Sequence, residues 1–241
     1  MLADEESRQL FDLIRSVRGG HVNLFRYDEL DRINGSSIYW GRSDLQKSAA
    51  PGHHPCAIVD CGAYTGDSIS EILTQLQPQQ CSYYAFEPDG TVLAELEAAE
   101  TAVNEERAKR SLPAIEFHNI PKGAWHCDQT LQFNYYTEDA ASSLNQNHNL
   151  EDGAQGSIQV TAIDHLQIAE DRLYIKMDIE GSELAALRGA EKLIREKKTY
   201  LAICAYHRPH DLFYIPLMMR HLDPDCRIHL AGGMHYTYYA I

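Results

Sequence analysis

Apolar positions in this chain fall into short runs that alternate with segments of helical spacing. Ala57 to Val59 is apolar and ends in Asp60; after Cys61-Gly62-Ala63-Tyr64-Thr65-Gly66-Asp67-Ser68 come Ile69, Ile72, Leu73 and Leu76 at i, i+3, i+4 and i+7. This pattern predicts a buried strand, a tight turn and an amphipathic helix. Cys81–Phe86 predicts a second strand, closed by Glu87-Pro88-Asp89 and followed by a helix with Val92, Leu96, Ala99 and Val103 on one face. Ile115–Ile120 alternates as a third strand and runs into Pro121-Lys122-Gly123-Ala124-Trp125; Leu131–Tyr136 and Ile158–Val160 predict two more. Leu173–Met177 predicts a strand that ends at Asp178, then a turn and a helix with Leu184, Leu187, Ala190 and Ile194 on its face. Tyr200–Tyr206 predicts a strand and Leu212–Leu222 a helix, in which Pro216 is tolerable only in the first turn. Arg227–Leu230 and Tyr236–Ile241 predict a hairpin across Ala231-Gly232-Gly233-Met234.

Strands alternating with helices predict an α/β fold: a mostly parallel sheet with helices on both faces and ligands outside the carboxyl ends of the strands. The final hairpin makes one strand antiparallel. Leu10, Phe11, Ile14 and Val17 predict an amphipathic helix stopped by Gly19-Gly20. Residues 1–50 read as an N-terminal extension that packs on the core or covers its cleft, and residues 51–241 as the main domain.

Charge and cysteines narrow the partners. The net charge of −14 argues against a nucleic-acid backbone and an anionic membrane surface as partners. The six cysteines form no C-x-x-C, nothing at the N-terminus reads as a signal peptide, and no apolar run has the length of a membrane span. A reduced cytoplasmic protein is expected. Oligomeric state is not legible.

The candidate chemistry gathers at the strand ends. The turn reads D-x-G-x-x-x-G over Asp60, Gly62 and Gly66, without the G-x-G-x-x-G cradle of a dinucleotide site. Its glycines let backbone approach a ligand. Glu87 ends the second strand, where a carboxylate meets ribose hydroxyls in nucleotide-binding sheets. Asp60, Glu87 and Asp178 are all expected on one edge, and a carboxylate near a core must be paired or hydrogen-bonded. The polar stretch around Ser142 and Ser143 is a candidate substrate loop.

The first turn resembles the opening motif of S-adenosylmethionine-dependent methyltransferases. With Phe86-Glu87-Pro88, Ile175-Lys176-Met177-Asp178-Ile179-Glu180-Gly181-Ser182-Glu183, Gly189-Ala190, Tyr206-His207-Arg208-Pro209, Asp211-Leu212 and the closing Tyr238-Tyr239-Ala240, residues 55 to 241 resemble the FkbM family of these enzymes. The resemblance implies a Rossmann-like class I methyltransferase with a seven-stranded sheet, S-adenosylmethionine as cofactor, and O-methylation of a small hydroxylated molecule such as a sugar or polyketide. It implies that Asp60, Gly62, Ala63, Tyr64, Thr65, Gly66 and Ser68 line the methionine end of the cofactor. Glu87 and Pro88 would lie at the ribose, Asp178 near the methionine amine and reacting methyl, and Gly123 and Ala124 near the adenine. His207 is the expected general base, since imidazole titrates in the useful range; Asp178 and Glu180 complete the catalytic set, with Glu180 the second candidate base. His207-x-x-His210 with Asp178 offers ligand types that can hold a divalent ion, but no metal site is assigned. A nicotinamide-dependent oxidoreductase and a non-catalytic cofactor-binding interaction protein are the alternatives.

Overall fold

The computed structural model describes residues 2–19, 50–52, 54–135, 154–232 and 235–241. Most of the extension's 20–49 and most of the loop at 138–157, with Ser142 and Ser143, lie outside them.

Helix α1 (Glu5–Arg18) comes first, capped by the Asp4 side chain on the Ser7 N–H. Strand β1 (Cys56–Cys61), α2 (Ile69–Leu76), β2 (Cys81–Phe86), α3 (Leu93–Lys109) and β3 (Glu116–Ile120) follow. Next are β4 (Gly123–Trp125), β5 (Gln129–Tyr135), β6 (Ala154–Ala162) and β7 (Arg172–Met177). The chain closes with α4 (Glu183–Arg188), α5 (Glu191–Glu196), β8 (Lys198–Cys204), α6 (Asp211–Leu222), β9 (Ile228–Ala231) and β10 (Thr237–Ala240).

Seven strands form one sheet in the order β3-β2-β1-β7-β8-β10-β9. All pairings are parallel except those of β10, which runs antiparallel to both neighbours. This is the α/β architecture expected, with the antiparallel strand contributed by the terminal hairpin. Strand β1 is buried along its whole length because helices cover both faces. On one face Ala57, Val59 and Cys61 meet Leu10 and Ile14 of α1, Leu187 of α4 and Ile215 and Met219 of α6. On the other, Cys56 and Ile58 meet Ile69 and Ile72 of α2 and Leu96 of α3. The alternation follows from the two-residue period of strand side chains.

One detail is left open by the sequence and two differ from expectation. The strands near 131 and 158, which the pattern assigns to no sheet, pair in a separate three-stranded sheet with β4, in the order β4-β6-β5. The helix expected through Leu184 and Ile194 is two helices broken at Gly189. A side chain there would run into the Trp125 carbonyl, and Asp164 caps the second helix at the N–H groups of Lys192 and Leu193. Pro216 lies in the second turn of α6, past the position expected for it. A proline there has no N–H for the Leu212 carbonyl. The Tyr238 hydroxyl donates to that carbonyl instead, at 2.7 Å, from the neighbouring strand. Tyr238→Phe is therefore expected to destabilise the protein by about 1–3 kcal/mol, the cost of a buried polar group left without a partner. Urea unfolding measures this; a loss within error would show that the carbonyl finds another donor.

Candidate active site

Strand order reverses between β1 and β7, since β2 and β3 lie to one side and β8 to the other. The crevice outside the carboxyl ends at such a point is where open α/β sheets bind ligands. Two loops meet there: residues 62–68 after β1 and 178–182 after β7.

The first loop is built by its backbone. Gly62 and Gly66 have φ of 78° and 81°, and Tyr64 takes 47°. A Cβ at Gly62 would run into the Asp178 carbonyl oxygen, so only glycine lets the two loops close together. Gly66 faces inward, where a Cβ would lie 2.7 Å from that of Ala99. The Gly62 and Ala63 N–H groups both donate to the Phe86 carbonyl. Ala63 is buried, whereas Tyr64 is 56% exposed. Beyond the turn the backbone runs on through Thr65, which is half-buried.

Glu87 stands at the neighbouring strand end. Its two carboxylate oxygens accept the N–H groups of Tyr64 and Asp89, at 2.9 and 2.8 Å. Burial raises its pKa, and those two hydrogen bonds oppose the shift. A shallow depression beside it is lined by Ala85, Leu93, Asn119, Ile120 and Pro121. Pro88 is half-buried next to it. Sequence reasoning missed Leu93, Asn119 and Pro121; only the position of Pro121 at a strand end hinted at them. Gly123 and Ala124, expected near the adenine, are buried in β4, where Gly123 packs against Val160.

Asp60 and Ser68 turn away from the crevice. Asp60 is fully buried, its Oδ1 lies 2.8 Å from the Lys176 ammonium, and its Oδ2 accepts the hydroxyls of Ser68 and Tyr83. Both carboxylate oxygens are thus engaged inside the sheet. Lys176 also donates to the Gly62 carbonyl at 2.6 Å, tying the pair to the glycine turn. Burial opposes the lysine's charge, but the Asp60 carboxylate outweighs it and raises its pKa.

The second loop carries a cluster around His207, which follows β8. Nε2 of His207 lies 3.2 Å from Asp178 Oδ1 and 3.5 Å from Glu180 Oε1, and Nδ1 lies 2.8 Å from Glu183 Oε1. The imidazole is 6% exposed and Glu183 is fully buried. Burial disfavours the imidazolium, but the three carboxylates outweigh it and push the pKa up to about 12. That shift favours the imidazolium, the form with no lone pair to accept a proton as the expected base would. Glu183 also accepts the N–H groups of Ile179 and Gly181, holding the loop in shape. That shape is strained: Glu180 has a φ of 56°, worth roughly 1–3 kcal/mol in a residue other than glycine. The Tyr206 hydroxyl donates to Asp178 at 2.7 Å, and burial with that carboxylate holds its pKa well up. His210 lies outside the cluster, 3.6 Å from Asp211. From the N-terminus, Arg18 donates to the carbonyls of Tyr206 and Arg208, so α1 reaches the loop that carries His207.

The geometry thus brings Asp178, Glu180 and His207 together and sets Glu87 beside the glycine turn. The profile of the methyltransferase FkbM domain matches residues 60–226. No curated protein matches the sequence. Among solved structures, a methyltransferase FkbM from Methylobacillus flagellatus KT is similar at 21% identity with a TM-score of 0.57, over 95% of this chain and 60% of its own. A precorrin-6y C5,15-methyltransferase from Geobacter metallireducens GS-15 is similar at 11% identity and TM-score 0.43, over 83% and 86%. A SAM-dependent methyltransferase from Aquifex aeolicus is similar at 13% and 0.42, over 89% and 97%. The chain therefore spans three fifths of the length of the first of these. Among the described residues no helix is long and apolar enough to cross a membrane.

Proposed function

This chain belongs to the FkbM methyltransferase family, whose cofactor is S-adenosylmethionine, and from that premise we propose that it methylates a hydroxyl oxygen of a small molecule. The observation that carries the reading is the adjacency of the glycine turn to an acidic cluster. Gly62 closes against Asp178, and Asp178 shares its surroundings with Glu180, Tyr206 and His207. The residues fit the cofactor in kind. A backbone-built turn without a diphosphate cradle suits an amino-acid tail, and Glu87, fixed by two N–H groups, suits a ribose diol beside an apolar depression.

Bound there, the cofactor supplies an electrophilic methyl group; the chain supplies alignment and a proton acceptor. A hydroxyl must lose its proton as its oxygen is methylated. In our reading the cluster acts as a unit: Asp178 and Glu180 receive the hydroxyl and its proton, and His207 orients the two carboxylates. The net charge of −14 accords with a small neutral or cationic acceptor rather than a polyanion.

Thermal unfolding with added ligand tests the cofactor. S-adenosylhomocysteine is expected to raise the melting temperature and NAD to leave it unchanged, because a ligand stabilises only a state it binds. Stabilisation by NAD alone would return the oxidoreductase reading. Formation of S-adenosylhomocysteine with a panel of hydroxylated metabolites, but not with matched amines, tests the acceptor. Turnover confined to the amines would overturn the O-methylation proposed.

A further inference from the structure

The His207 cluster gathers negative charge around one ring. Three carboxylates, of Asp178, Glu180 and Glu183, converge on one imidazole. Lys176 makes its direct contacts to Asp60 and the Gly62 carbonyl and feels Asp178 as a neighbouring charge. Buried charge of one sign calls for a counter-charge.

The directions of approach are as telling as the count. The imidazole is more than nine-tenths buried, yet Nε2 makes no aligned hydrogen bond. Asp178 Oδ1 sits 3.2 Å away but off the N–H axis, and Glu180 Oε1 sits 3.5 Å away. Two oxygens flanking the axis of a ring nitrogen is the arrangement of neighbouring ligands around one shared ion. Neighbouring ligands of an octahedral ion with bonds of about 2.1 Å lie about 3 Å apart. One ligand atom from each of Asp178, Glu180 and His207 falls within 4.8 Å of the others. On the far side of the ring, Nδ1 lies 2.8 Å from the buried Glu183 carboxylate, also without an aligned hydrogen bond, so proximity of charge holds the ring from behind.

We infer that Asp178, Glu180 and His207 form a binding site for one divalent cation, which displaces the Nε2 proton of His207 to solvent as it binds, with Glu183 beside Nδ1 holding the histidine in place. Two carboxylates and one imidazole suit a Mg2+ or Mn2+ ion, which keeps its remaining positions for water or substrate oxygens. His210 takes no part, although its spacing from His207 first suggested a metal. The strained backbone at Glu180 serves to turn that carboxylate toward the ion. A hydroxyl bound to the ion would lose its proton more readily; that use rests on the methyl-transfer reading, whereas the site itself does not.

The test is a titration of the chelator-treated, cofactor-free protein with MnCl2, read by the electron paramagnetic resonance of free Mn2+. One Mn2+ per chain is expected, competed by Mg2+, weakened at least tenfold in Glu180→Gln and in Asp178→Asn, and unchanged in His210→Ala. The thermal unfolding transition of each sample reports whether the variant is folded, and calorimetry with S-adenosylhomocysteine reports the cofactor site separately. No Mn2+ binding by protein that binds S-adenosylhomocysteine would overturn the site and leave the methyltransferase reading standing. Equal Mn2+ binding by wild type and folded Glu180→Gln would also overturn it. Stoichiometric Mn2+ binding with no affinity for S-adenosylhomocysteine would support the site and count against the methyl-transfer reading alone.

Discussion

Lys176→Met is expected to lower the unfolding free energy by about 3–5 kcal/mol, the cost of removing one partner of a buried ion pair. Lys176 is 3% exposed and Asp60 is fully buried, so water cannot replace the lost ammonium. Asp60 would keep only the Ser68 and Tyr83 hydroxyls, which donate to Oδ2 and leave Oδ1 bare. The same substitution takes the donor from the Gly62 carbonyl, so affinity for S-adenosylhomocysteine should fall as well. Urea unfolding with an unchanged m-value measures the first effect and calorimetry the second. Asp60→Asn combined with Lys176→Met should recover part of the stability, because a pair in contact is not additive. A single-variant loss below about 1 kcal/mol would mean that the pair is not what holds the turn.

His207→Gln should cost about 3 kcal/mol or more at pH 7 in the presence of a chelator, since it leaves a buried carboxylate without its counter-charge. It should also change how stability depends on pH. The folded pKa is raised from its ordinary 6.5 to about 12, burial opposing the charge and three carboxylates overriding it. A group raised in this way stabilises fully below pH 6.5, and its contribution is lost as pH rises from there toward 12. Wild-type stability should therefore decline with pH above neutrality, by at most about 1.4 kcal/mol per unit from this group. The variant should lack that decline. Asp211, pushed up to about 6 chiefly by burial, also feels the His207 charge, so the two profiles are compared from pH 7 upward, past its titration. Parallel profiles for the two proteins between pH 7 and 9.5 would show that the ring is neutral. His207 would then return as a candidate base.

Local pattern carried most of the fold. Cys81–Phe86 is a strand over the range its apolar run marks, and helices follow where the apolar spacing changes to 3.6. Local pattern could not say which sheet a strand joins, and β5 and β6 pair with β4 in a smaller one. It likewise misplaced Pro216, whose tolerance rests on Tyr238, 22 residues along the chain and one strand away.

At the site, legibility followed the same division. Asp60, Glu87 and Asp178 read alike in sequence, each an acid at or just past a strand end. In the fold Asp60 is buried in an ion pair, Glu87 is held by two N–H groups, and Asp178 faces an imidazole. The run Lys176-x-Asp178-x-Glu180-Gly181-x-Glu183 was visible as a unit, but the work of Lys176 and Glu183 was not. One reaches across the sheet to β1 and the other points back beneath its own loop.

By itself, then, the sequence determined the strand and helix periods, the glycine turn and the family, because periodicity and backbone permissiveness are properties of neighbouring residues. The tertiary structure alone decided which acids are spent inside the protein and which remain to meet a ligand, and it turned His207 from a free imidazole into a charged centre among carboxylates. Those outcomes depend on burial and on partners from other strands, and both exist only once the chain has closed.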